Sequence, residues 1–406
     1  MSSSDIPNIS GSRAGLSRPD PRQRIDDTTG FRNDVSRLAR IPLRAEPTWN
    51  DGSIETTTGA DVSQGSILGG GRHPSGGGNS DGLPLRTARG RGDLDGPGFN
   101  LAVPPNGYAW WYIDGISDDG TKAISIIAFI GSVFSPWYRW SGRKDPEDHC
   151  CLNVVTYGKG GRWTMTDRGR DALELSETEM KIGPSHLSWD GSALTIHIDE
   201  RTTPHGGRLR GKVTLTPRAV TNVELPLCDD GAHIWRPFAP VADIQVRLEN
   251  AGWAWSGHGY FDANFGTRAL EEDFDYWTWG RFPTREGACC FYDATRCDGS
   301  NLTAAIAFDE TGNASPVDAP RTARFKSAFW GVRRETRADP DFAPHEVRPM
   351  LDAPFYNRAM VRTKINGETV TGVHESLDLN RFRKAWMMPM LAFRVPRRKN
   401  WPKRRL

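Results

Sequence analysis

The segment from His233 to Gly266 concentrates the side chains best suited to chemistry: His233, Trp235, Trp253, Trp255, His258, Tyr260, Asp262 and Asn264. A carboxyl group donates a proton near neutral pH only when its ionised form is disfavoured, and burial among aromatic rings does this by removing the charge from water. Asp262 is therefore the candidate acid. Side chains on an extended strand alternate between faces. His258, Tyr260, Asp262 and Asn264 thus form one polar row with Ser256, while Trp255, Gly257, Gly259 and Phe261 point the other way. A polar row also suits the wet face of a sheet, and the pattern alone leaves both readings open. His233, His258 and Asp262 could ligate a metal in principle, but no tight ligand spacing supports one, and none is expected.

A second cluster runs from Gly107 to Gly115, where Trp110, Tyr112 and Asp114 share a face and Trp111 takes the other. It fits a strand covering a barrel mouth and fits plain core equally well. The chain carries 15 tryptophans, and two pairs have one-face spacing, Trp253 with Trp255 and Trp277 with Trp279. Such pairs belong either to ordinary sheet core or to the wall of a wide apolar ligand cavity. There is no G-x-G-x-x-G at a strand-to-helix junction, no phosphate-binding P-loop and no H-E-x-x-H, so no cofactor is expected.

The elements that must position these residues are strands. AISIIAFIGSVF, LNVVTYG, ALTIHIDE, KVTLTP, VADIQVRLEN, YWTWGRF, ACCFYDA, LTAAIAF and MVRTKING are short β-type runs bounded by turn residues. Helical patterns are scarce, the best lying around Asp378 to Trp386. The expectation is an all-β protein of antiparallel sandwich or barrel type. From Met1 to Gly98 there is one Trp (Trp49) and one Phe (Phe31) among Gly-rich polar sequence, too little apolar surface to offset ordering entropy. Residues 1–98 are thus expected to be disordered. The strand pattern breaks at LCDDGAHIWRPFA (Leu227 to Ala239), which suggests β domains at 99–230 and 231–393, followed by a basic tail at 394–406. The six cysteines, two adjacent pairs plus Cys228 and Cys297, lack zinc-knuckle spacing and read as reduced, buried thiols.

Formal net charge is only +2, yet Arg394 to Leu406 carries seven basic residues and no acidic one, a pattern suited to phosphate. No basic groove interleaved with aromatics accompanies it, so nucleic acid is not expected. No apolar run approaches the roughly 18 residues of a membrane span, and MSSSDIPNIS lacks the features of a secretory signal.

GYAWWYIDGISDDG, AFIGSVFSPWY, HIWRPFAP and WSGHGYFDANFG, in that order, closely resemble the acyclic carotenoid 1,2-hydratases of purple phototrophic bacteria, over roughly Leu101 to Arg394. The resemblance implies two lipocalin-like barrel domains, no cofactor or metal, and hydration of acyclic carotenes such as neurosporene and lycopene. It also implies an acid at Asp262 assisted by His233, Trp235 and Tyr260. Substrate contacts are then expected from Trp253, Trp255, His258, Asn264, Trp110, Tyr112, Trp277 and Trp279. A carotenoid of bilayer length implies a cytoplasmic protein held peripherally at the inner photosynthetic membrane. The apolar WMMPMLAF segment and the basic tail would meet the anionic surface, and no obligate protein partner is inferred. The alternative within the same fold is a non-catalytic carrier of an apolar isoprenoid.

Overall fold

The computed structural model describes residues 86–87 and 96–400, all within the unit Gly77–Leu406. The disorder expected of residues 1–98 falls almost wholly outside the described residues, as do the last six residues of the tail. Within them, the all-β antiparallel expectation holds. The strands form a 15-stranded sheet, a seven-stranded sheet and a two-stranded ribbon, and the pairings are antiparallel except for Arg397–Arg398 beside Asp167–Arg168.

The first sheet explains why some of its strands are apolar throughout. Ala123–Ile130 is buried at every position. Ile124, Ile126, Ala128 and Ile130 enter the core around which this sheet curls, and Ala123, Ile127 and Phe129 enter a second core shared with the seven-stranded sheet. A strand with protein on both faces needs apolar residues at consecutive positions, where a half-exposed one alternates. The adjacent cysteines follow from the same geometry. Cys150 and Cys151 point into the first and second cores, and Cys290 and Cys289 into the second core and a smaller outer cluster. Cys297 departs from the expectation of burial and is exposed.

The seven-stranded sheet runs in the order Ala314–Pro316, Asn301–Asp309, Gly287–Arg296, Phe274–Thr284, Glu368–Asp378, Tyr356–Ile365, His345–Asp352. Its inner face packs on the outer face of strands Tyr108–Ser117, Ala123–Ile130, Cys150–Tyr157, His233–Leu248 and Ala254–Gly266.

The change from one sheet to the next lies later than the sequence suggests. His233–Leu248 pairs with Arg208–Pro217 and with Ala254–Gly266, all in the first sheet. The second sheet begins at Phe274, after the short helix Leu270–Asp273. The segment Leu227 to Ala239, where a domain break is expected, holds a hairpin turn and the start of a strand of the first sheet, with Leu225 paired to Trp235.

Candidate active site

From Tyr260 to Asn264 the polar row on Ala254–Gly266 faces protein rather than water, whereas Ser256 at its start is exposed. Tyr260, Asp262 and Asn264 are buried, and Tyr260 belongs to the core between the sheets. Phe261 and Ala263, on the alternate face, enter the first core. Asp262 Oδ2 accepts hydrogen bonds from Trp235 Nε1 at 2.9 Å and from Tyr260 Oη at 2.8 Å. Asn264 Nδ2 donates to Oδ1 at 3.2 Å. Indole and amide N–H groups can only donate, so both oxygens act as acceptors; in the protonated carboxyl, Oδ1, which receives one donor against two at Oδ2, is the better place for the proton. Burial pushes the Asp262 carboxyl up to about 8, against the opposing pull of the Trp235 and Tyr260 hydrogen bonds; the negative charges of Glu375 and Asp114 add to the rise.

Asp262 opens onto a narrow chamber of about 40 Å³ between the sheets, lined also by Trp110, Tyr112, Asn264, Trp277, Trp279, Tyr292 and Glu375. The register places these walls. Asp262 pairs with Tyr112 and Asn264 with Trp110 across the first sheet, and Trp279 pairs with Tyr292 on one side and Glu375 on the other across the second. The structure thus gathers Asp262, Asn264, Trp110, Tyr112, Trp277 and Trp279 around one space, with Trp235 and Tyr260 bonded to the acid. Trp235 contributes its N–H to the carboxyl, and its ring sits 5.7 Å from that of Tyr292.

The other expected residues lie elsewhere. Trp253 and Trp255 pack in or against the first core, because their odd positions put them on the face opposite Asp262. His233 is wholly buried, with Nδ1 2.8 Å from Tyr108 Oη and Nε2 2.7 Å from Asp273 Oδ2. A carboxylate can only accept from it, so Nε2 carries the proton and Nδ1 accepts from the tyrosine. Desolvation lowers the His233 pKa, countered in part by Asp273. Gly266 makes this arrangement possible, since a Cβ there would lie 2.6 Å from the Tyr108 ring and 2.8 Å from His233 Nδ1. Tyr108 in turn stacks on Trp110 at 4.8 Å, so His233 braces a chamber wall. His258 Nδ1 accepts from Arg281 at 2.8 Å, and burial together with that cation drives its pKa down to about 3.

Cys228, His233 and Asp273 bring potential ligand atoms within 4.8 Å of one another. Arg268 already occupies Asp273, at 2.6 Å from Oδ2 and 2.8 Å from Oδ1, and a guanidinium at that position opposes a second cation.

Sequence reasoning missed Tyr292 and Glu375. Tyr292 sits in the apolar run ACCFYDA, and Glu375 is one acid in a polar strand; neither carries a local signal, and only the pairing with Trp279 brings them to the site.

The fold and site define an all-β protein with a buried carboxyl, its ionisation disfavoured by desolvation, facing an aromatic chamber between two sheets. The family model "Carotenoid hydratase CrtC" matches residues 126–404, and the chain belongs to that family. It is 57% identical over 277 residues to the acyclic carotenoid 1,2-hydratase of Cereibacter sphaeroides, covering 68% of this chain and 99% of that protein. The protein of the same name from Rhodobacter capsulatus is 56% identical over 278 residues, 68% of this chain and 99% of the relative. That from Thiocapsa roseopersicina is 41% identical over 378 residues, covering 90% and 93%.

Proposed function

We propose that this protein adds water to the terminal C1–C2 double bond of an acyclic carotenoid, with Asp262 as the proton donor. The observation that carries the reading is a carboxyl held neutral by burial, bonded to Trp235 and Tyr260 and open to an aromatic chamber. Protonation at C2 leaves a tertiary cation at C1, which water captures to give a tertiary alcohol. As Oδ1 gives up its proton, negative charge develops on a group that already receives two hydrogen bonds at Oδ2, so the same donors that orient the acid stabilise its anion. The ring faces of Trp110, Tyr112, Trp277, Trp279 and Tyr292 surround the cation, each worth about 0.5–2 kcal/mol. His233, with both nitrogens engaged, positions Tyr108 and Trp110. No step in this scheme draws on a cofactor.

The chamber is little larger than a water molecule, whose share of liquid volume is about 30 Å³, so its walls part to admit an isoprenoid end. A larger apolar cavity of about 500 Å³ lies nearby, lined by residues that include Phe134, Trp163, Phe355, Met390 and Arg358. Arg358 also stands over the Tyr112 ring of the chamber, at 5.2 Å. Trp330 and Phe393, which line this cavity, are exposed, as are Phe329, packed on Trp330, and Trp386, and no helix of the described residues is long and apolar enough to cross a membrane. These side chains would seat the protein on the membrane that supplies the carotenoid. Of the basic residues in the tail, Arg397 is already paired with Asp148 and Asp167.

The test is incubation with lycopene or neurosporene in H₂¹⁸O without added cofactor. The expected product is a 1-hydroxy carotenoid carrying ¹⁸O; tight binding with no product would make the protein a carrier. Replacing Phe329 and Phe393 with Ser should weaken flotation with anionic vesicles, and unchanged flotation would remove these residues from the attachment.

A further inference from the structure

Hydration needs a second proton transfer. When water bonds to the C1 cation it becomes an oxonium that must lose a proton, and His233, the residue whose type best suits a base, has both nitrogens occupied by Tyr108 and Asp273. The chamber offers another group. Of its eight lining residues two carry carboxyls, Asp262 and Glu375, and they arrive from different sheets: Asp262 from Ala254–Gly266 and Glu375 from Glu368–Asp378.

The two carboxyls have opposite surroundings. Asp262 has only neutral donors. Glu375 Oε1 is held by the Arg358 guanidinium, through Nε at 2.8 Å and the second amino nitrogen at 2.6 Å. Arg358 is itself buried and anchored by Ser125 and by Tyr157 Oη at 2.8 Å, so the countercharge to Glu375 is fixed in place. Directly opposite Glu375 on the neighbouring strand stands Trp279, whose Nε1 is buried without a hydrogen-bond partner. An orphan donor and a carboxylate acceptor on residues that line one small space suit a water molecule that accepts from the indole and donates to the carboxylate.

We propose that Glu375 is the general base of the reaction, receiving the proton of the water that attacks C1, with Trp279 Nε1 orienting that water. The inference rests on the hydratase reading above. In the balanced step, the Asp262 Oδ1–H bond breaks and a C2–H bond forms from the alkene electron pair. Water oxygen then bonds to C1, and one water proton passes to the Glu375 carboxylate. Return of that proton to Asp262 through solvent restores the resting protein, and the net change is alkene plus water to alcohol. Oxonium is a strong acid, so a carboxylate already shared with Arg358 is basic enough.

The experiment is turnover of lycopene in D₂O by wild type, Glu375→Gln and Asp262→Asn, scoring both the 1-hydroxy product and deuterium in recovered carotene. Because Glu375 acts after protonation, Glu375→Gln should form the cation and lose it back to alkene. Hydration should fall about a hundredfold or more with KM little changed, while recovered carotene still gains deuterium. Asp262→Asn should show neither product nor exchange. If Asp262→Asn remains active, the acid reading fails, whatever Glu375 does. Folded Glu375→Gln that hydrates within about tenfold of wild type, or that loses hydration and exchange together, overturns the base assignment. Glu375→Gln leaves Arg358 buried without its partner and could fail to fold. The double variant Glu375→Gln/Arg358→Met removes both charges, and the same two outcomes decide the question there.

Discussion

Asp262 and Asp114 lie on neighbouring strands of one sheet, each beside the other's tyrosine: Asp262 pairs with Tyr112, and Asp114 with Tyr260. Both are buried, and both accept a tyrosine hydroxyl at 2.8 Å, Asp262 from Tyr260 and Asp114 from Tyr112. They differ in the company of charge. Asp114 meets the guanidinium of Arg281, which is itself buried and also bonded to His258. Asp262 meets an indole, a phenol and a carboxamide. A neighbouring cation favours the charged form of a carboxyl, whereas at Asp262 desolvation outweighs the neutral donors and favours the protonated form. Burial, sheet and a hydroxyl partner are common to both, so the charge of the remaining partners separates a structural ion pair from the carboxyl proposed as the acid.

The largest effect should come from removing the proton donor. Asp262→Asn preserves shape and the Trp235 bond, and carotenoid turnover should drop about a thousandfold or more, measured on protein whose circular dichroism matches wild type. Asp114→Asn should do the reverse. It strands Arg281 in the interior and should cost about 3–5 kcal/mol of stability by denaturant unfolding, while turnover per folded molecule stays within about tenfold. If Asp114→Asn instead abolishes turnover in folded protein, the roles of the two carboxyls have been exchanged.

The protonation difference also has a stability signature. The Asp262 pKa rises on folding from 3.8 to about 8, so between those values the folded state binds more protons and stability falls as pH rises. Asp262→Asn should flatten this decline by an amount on the order of a few kcal/mol between pH 4 and pH 8. Equal slopes in the two proteins would mean that the carboxyl is ionised in the fold.

Trp235→Phe sharpens the comparison by taking one donor from Oδ2 while keeping a ring. Loss of a hydrogen bond worth about 0.5–1.5 kcal/mol predicts a fall in kcat of up to about tenfold. Trp235→Ala should lose more, with about 3–5 kcal/mol of stability from the cavity. The smallest effect should be that of His258→Asn, which keeps an acceptor for Arg281 and should change kcat by about threefold or less.

The chemistry of this site was readable along one strand and unreadable across strands. Alternation placed Tyr260, Asp262 and Asn264 on a common face and Phe261 on the other, because side-chain direction on a strand has a fixed period. The same rule put Trp110, Tyr112 and Asp114 together and turned Trp111 away. It could not say which face met the second sheet, so the pairs Trp253/Trp255 and Trp277/Trp279 looked alike although only the latter reaches the acid. Nor could it reveal that Arg281 neutralises Asp114 or that Arg358 pairs with Glu375, since those partners lie 167 and 17 residues apart in the chain. The resemblance implies His233 as a helper of Asp262; its two hydrogen bonds, fixed only in three dimensions, give it to Tyr108 and Asp273. The turn at 229–231 was visible as turn chemistry, but a hairpin and a domain junction use the same residues.

The central claim is that the reaction uses a carboxylic acid kept protonated by its surroundings, and the pH dependence of kcat/KM for wild type tests it most directly. The hydrocarbon substrate has no ionisable group, so a descending limb belongs to the protein. The structure predicts that activity persists through neutral pH and falls as Asp262 ionises, at about pH 8. A descending limb at about pH 4–5, where an ordinary carboxyl loses its proton, would contradict it.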